Sequence, residues 1–285
     1  MSIALADIIA LLAVFLIGLP HGAFDGAAAM RTRLFDSLPR MIIFLALYVT
    51  LAVLTLITWL SIPVISLGMF LLISLFHFGM SEPVLHGRIA RISRIIASGG
   101  LTVIYLPLEH RDSVLPIFEI LSGAEARLII TAIAFAAPLW VLASIVALII
   151  SFMRKSERLW GLEFMLLLAL LTLLPPLAGF AVYFCCVHSR NHFRDIWRQL
   201  RQSYMRRHLI LGAAVLTSLS WLFAVTAFWY LAPRLGDYAA ALQIVFIGLA
   251  ALTVPHMLLI DFIFRPSTSS LSGSAQIDKA QKAAS

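Results

Sequence analysis

Charge is what this chain has least of. Only 12% of its 285 residues are Asp, Glu, Lys or Arg, against about 25% in a soluble globular domain. Hydrophobic residues make up 61%, and the mean hydropathy is +0.99. A soluble enzyme is excluded, and so is a nucleic-acid partner, because no basic stretch is attached to a soluble domain that could present it. Lysine is nearly missing: Lys155, Lys279 and Lys282 stand beside arginines for all the rest of the 21 basic residues. There are 2 cysteines, Cys185 and Cys186. Adjacent and inside an apolar run, they make neither a disulfide framework nor a CxxC pair, and packing is the expected role. The sequence specifies an all-α, polytopic integral membrane bundle.

A bilayer core of about 30 Å takes roughly 20 apolar residues per helix. Runs of that kind fall at about 3–22, 41–60, 63–80, 94–108, 128–151, 159–187, 209–231 and 238–263, giving seven or eight spans in one domain over 1–265. The first has no basic n-region or A-x-A pattern and reads as a span, not a removed signal peptide. The run 159–187 is too long for one crossing. Pro175-Pro176 inside it removes two backbone donors, so a broken or re-entrant helix is expected there. Residues 266–285, small and polar, read as a disordered tail.

Arginines between the runs orient the bundle. Arg31, Arg33 and Arg40, then Arg88, Arg91 and Arg94, then Arg154, Lys155 and Arg158 mark three cytoplasmic loops by the positive-inside rule. The N-terminus is then outside, 109–127 is an outer loop, and the C-terminus is cytoplasmic in a cell membrane. The most basic stretch, 188–208, reaches the cytoplasmic side only if 159–187 turns back at its prolines.

Against this apolar background four histidines stand out: His21 in LIGLPHGAFDG, His77 in LLISLFHFGMSEP, and His188 with His192 in FCCVHSRNHFRD. An imidazole in hydrocarbon costs free energy unless it is paired or coordinated. His188 and His192 are spaced i, i+4, so one helix face can aim both at one ion. Interhelical hydrogen bonding is the alternative for each histidine taken singly. His256 in TVPHMLLID is a fifth buried imidazole, a candidate for lining the pocket. His86, His110 and His208 read as solvated loop histidines. Asp25, Glu82, Asp195 and Asp261 follow the apolar histidines closely, and could orient ligand imidazoles through the second ring nitrogen or pair with interface arginines. Neutral imidazoles that leave coordination positions open suit a non-haem Fe(2+) centre able to bind O2.

GLPHGAFDG, FHFGMSEP, CVHSRNHFRD and PHMLLID, in this order over nearly the whole chain, resemble the Brp/Blh family of β-carotene 15,15′-dioxygenases. Ser81-Glu82 departs from it where an Asp is expected. The resemblance implies that His21, His77, His188 and His192 ligate iron. It implies cleavage of β-carotene with O2 into two molecules of all-trans-retinal, a substrate drawn from the lipid bilayer, and a microbial rhodopsin as recipient of the product. Other classes fare worse on the residues. A retinal-binding photoprotein needs a buried Schiff-base lysine, and a membrane di-iron desaturase needs more histidine boxes than this chain carries. A bis-His haem electron carrier and a divalent-metal transporter remain as alternatives, the latter short of intramembrane carboxylates.

Overall fold

The computed structural model describes residues 5–18, 38–82, 87–190, 194 and 206–258. The described residues form helices and no strands. They are α1 (Leu5–Gly18), α2 (Leu38–Ser61), α3 (Pro63–Met80), α4 (Arg88–Glu109), α5 (Arg111–Ser122), α6 (Ala126–Met153), α7 (Arg158–Leu173), α8 (Pro176–Ser189), α9 (Arg206–Leu235) and α10 (Asp237–Met257). Six of them are long and apolar enough to cross a bilayer, and α1 and α8 are shorter apolar helices. The chain is an all-α, multi-pass membrane bundle. Its outer faces show bare apolar side chains such as Phe135, 90% exposed, and Trp229, 75% exposed, which is the surface that lipid requires. The expected tail 266–285 and the loops 31–37 and 195–205 lie outside the described residues.

The least apolar of the long spans, α4, is the most enclosed. The sequence reading began it at residue 94, but it starts at Arg88. Arg94, expected in a cytoplasmic loop, is buried inside the helix at 3% exposure. Its charge is neutralised by Glu157, 2.6 Å away, and its guanidinium lies 4.3 Å from the centre of the Trp160 ring. Small residues let α4 approach α3: a Cβ on Gly99 would meet the Leu75 carbonyl, and one on Gly79 the Ile95 carbonyl. Pairing 99 with 75 and 95 with 79 makes the two helices antiparallel. Gly79 is the glycine of the HFG motif, so its lack of a side chain fixes how His77, two residues earlier, faces the bundle.

The outer loop expected over 109–127 contains a helix. Arg111–Ser122 places Val114, Ile117, Phe118 and Leu121 on one buried face, the i, i+3, i+4, i+7 spacing of an amphipathic helix. Its C-terminal carbonyls are taken by other helices: Trp59 Nε1 of α2 donates to Leu121 O at 2.9 Å, and Gln243 Nε2 of α10 donates to Ile120 O at 2.9 Å.

The break at Pro175-Pro176 is present. Leu174 and Pro175 are extended, with ψ 145° and 148°, between α7 and α8. The chain folds back there, because a Cβ on Gly179 would lie 3.9 Å from the Leu171 Cα, whereas eight residues of continuous helix would separate them by about 12 Å. Pro175 offers no N–H to the carbonyl of Leu171. His110 supplies the missing donor, its Nε2 donating to Leu171 O at 2.7 Å. Tyr105 OH reinforces the same turn at 2.5 Å from Thr172 Oγ1. His110 is thus a structural histidine at a helix end, not the solvated one expected.

Candidate metal centre and its apolar chamber

Three histidines from three helices meet in the interior. The His77 ring, near the end of α3, lies 4.9 Å from that of His188 on α8 and 5.1 Å from that of His256 on α10, both edge to face. Their exposures are 3%, 4% and 1%, so water is excluded from all three. The surroundings are aromatic: His188 is 4.7 Å from Phe78 and 5.6 Å from Phe184, and Phe78 is 5.4 Å from Tyr183.

Local backbone irregularity accompanies the site. His188 sits in a π-helical stretch, Val182–Ser189, and α1 ends in another, Val14–Gly18. A third, Leu101–Tyr105, widens α4. Such insertions loosen the hydrogen-bond ladder and recur at functional sites. In α1 the irregular backbone is held from outside, Trp221 Nε1 donating to Phe15 O at 3.1 Å. Gly18 closes α1 onto the site, since a Cβ there would be 2.5 Å from Phe184 Cε1. Phe184 stacks on His188, so α1 delivers the chain beside the cluster three residues ahead of His21.

The structure therefore brings together His77, His188 and His256. His21, His192, Asp25, Asp195 and Asp261 lie outside the described residues. Among the described residues no group of three or more His, Cys, Asp and Glu side chains is gathered on a single point as a metal site; the three imidazoles touch ring against ring. The sequence reading set His256 apart from the other apolar histidines, yet it is the most buried of the three. The signal was its position beside Pro255 in an apolar run.

Glu82, a candidate for orienting a ligand imidazole, lies among Ser98, Trp160 and Arg94. Burial pushes its carboxyl above the ordinary 4.5, and the Ser98 hydroxyl, Arg94 and Trp160 pull it part of the way back. It joins the polar cluster of Arg94 and Glu157, and its charge also reaches Tyr183.

Next to the histidines the bundle is hollow. A small cavity is lined by His77, Phe78, Phe184, Leu249 and Thr253, together with Phe70, Ser74 and Phe180. The last three and Phe78 also line a larger chamber that continues past Thr102, Leu106 and Leu67 to the buried face of α5. Fold and site together define a polytopic membrane protein with buried imidazoles opening on an apolar chamber.

The family model described as beta-carotene 15,15'-dioxygenase matches residues 12–264. A beta-carotene 15,15'-dioxygenase of the uncultured marine bacterium 66A03 is 38% identical over 274 residues, covering 94% of this chain and 98% of that protein. No solved structure matches the chain. The chain belongs to the β-carotene 15,15′-dioxygenase family.

Proposed function

We propose that this protein is a membrane-embedded, iron-dependent dioxygenase that cleaves β-carotene at its central 15,15′ double bond with O2, giving two molecules of all-trans-retinal. The observation that carries the reading is the meeting of His77, His188 and His256 at the end of an apolar chamber. Membership of the family, and the printed activity of the relative at 38% identity, supply the substrate.

The donor chemistry fits ferrous iron. The three buried imidazoles in ring contact are neutral nitrogen donors that leave the ion its charge. His77 and His188 would hold it, joined by His21 and His192 from the family motifs. His256, edge-on to His77, would set the plane of that ring. When bound, the iron would supply the activation of dioxygen next to the alkene. The chain's own part is positional. Phe78 and Phe184 pack on His188 and exclude water, while the chamber holds the polyene with one bond at the imidazoles. The substrate dissolves in the bilayer and enters between helices without crossing water. With the basic loops inward, the protein sits in the cell membrane with its N-terminus outside and its C-terminus in the cytoplasm.

The alternatives fit less well. Two axial imidazoles of a haem need a porphyrin between them, and the His77 and His188 rings are in contact at 4.9 Å. A divalent-metal transporter needs a polar path, and the chamber lining is apolar apart from Ser74 and Thr102.

Iron content and turnover of single variants test the reading. His77→Ala and His188→Ala should lose bound iron and retinal formation together, without a Soret band in the parent protein. His256→Ala should keep iron and turn over more slowly. Wild-type iron and turnover in both of the first two variants would refute the site.

A further inference from the structure

The chamber has a direction, a length and a closed end. Leu67, Phe70, Ser74 and Phe78 of α3 line it in succession, and His77 is reached at the smaller cavity that shares Phe70, Ser74 and Phe78. The antiparallel register of α3 and α4 puts Thr102 level with Leu72, Leu106 level with Gly68 and Pro107 level with Leu67. The lining residues of α4 therefore descend in the same order, and the hollow runs along the two helices. From His77 to Leu67 is ten residues, or about 15 Å at 1.5 Å per residue, the order of length of one half of an extended carotenoid.

The far end is a wall. Val114, Ile117, Phe118 and Leu121 of α5 close it, at 4%, 6%, 7% and 3% exposure. This wall cannot easily retreat, because Trp59 and Gln243 hold the carbonyls of Leu121 and Ile120 from two other helices. On the side, Phe70, Phe180 and Phe246 are only half-buried.

Resting on the dioxygenase reading above, we propose that the chamber is a length gauge: it takes one ring-bearing half of the carotenoid, and the stop at α5 sets which double bond lies at the histidines. A pairwise symmetric substrate needs only one such stop, since fixing one ring fixes the centre. The cavity volume of about 70 Å³ is below the roughly 300 Å³ at which drug-sized ligand sites begin. Entry therefore requires Phe70, Phe180 and Phe246 to turn aside, while α5 stays fixed. Thr102 marks the middle of the gauge with a buried hydroxyl that has no hydrogen-bond partner, so the lining is apolar where the polyene passes but for that group and Ser74.

The test is product analysis of Val114→Phe and Ile117→Phe, which fill the blind end, with Phe118→Ala, which deepens it. Each is assayed on β-carotene and on an apocarotenal that keeps one ring and has a short, ring-free other end. Filling the end should convert part of the β-carotene product from retinal to longer apocarotenals. Alternatively, it should abolish β-carotene turnover while the apocarotenal, whose ring-free end enters the shortened chamber, is still cleaved at wild-type iron content. Phe118→Ala should broaden the product set. Retinal alone at wild-type rate from all three variants would overturn the gauge, as would loss of both substrates at wild-type iron content. Failure of the unmodified protein to form retinal would instead overturn the dioxygenase reading.

Discussion

Replacing Gly99 by alanine tests the packing that places His77. In an open helix interior, glycine to alanine stabilises by about 0.5–1 kcal/mol through helix propensity. Gly68 of α3 is such a place, with nothing within 4 Å of an added Cβ, and Gly68→Ala should show that gain. At Gly99 the added Cβ meets the carbonyl of Leu75. Overpacking of this kind costs about 1–3 kcal/mol, and the upper end applies because a backbone carbonyl cannot rotate out of the way. The propensity gain is common to both variants, so their difference isolates the clash at about 3 kcal/mol, roughly a hundredfold in the unfolding constant. Unfolding by added SDS in dodecyl maltoside micelles measures it. Leu75 is two residues from His77, so Gly99→Ala should also lose turnover, whereas Gly68→Ala should not. Equal stability of the two variants would refute the close approach of α3 and α4.

Other outcomes follow from single contacts. His110→Ala leaves the Leu171 carbonyl without its donor at the proline break and should cost about 1–3 kcal/mol in the same unfolding assay, with partial recovery in His110→Gln, which can donate. Glu82 is raised above 4.5 by burial, so the folded state binds its proton more tightly than the unfolded chain does. Stability should therefore fall as pH rises from about that value through the raised one and level off beyond, and unfolding midpoints against pH should lose this slope in Glu82→Gln. Single cysteines labelled from either side of the membrane should place 154–158 and 195–208 together on the cytoplasmic face and 109–127 on the other, and a periplasmic 195–208 would contradict the fold-back at Pro175.

The helices were legible because hydrocarbon leaves few choices. Long apolar runs with arginines between them specify spans, and Pro175-Pro176 announced a break that the backbone shows. Arg94 misled: three arginines in a row of turns look like a loop, and only Glu157 and Trp160, more than sixty residues away, make a buried guanidinium tolerable. The helix 111–122 reads as an exterior loop by its three charges, Arg111, Asp112 and Glu119, although the Val114, Ile117, Phe118 and Leu121 spacing is there in the sequence. His77 and His188 were identified from the expense of imidazole in an apolar run, and the structure places them in contact. The place of His256 in the site is not written in its local sequence, because its meeting with His77 depends on how α10 packs against α3. The chamber could not be read at all, since it arises between helices whose register is set by Gly79 and Gly99.

The most direct measurement is chromatography of the products formed when the purified protein, loaded with Fe(II), is mixed with β-carotene under air. The account predicts retinal as the aldehyde formed, two molecules for each β-carotene consumed, with none under argon, none after chelation and none when zinc replaces iron. Consumption of β-carotene into longer apocarotenals by the unmodified protein, or undiminished retinal formation with zinc, would contradict it.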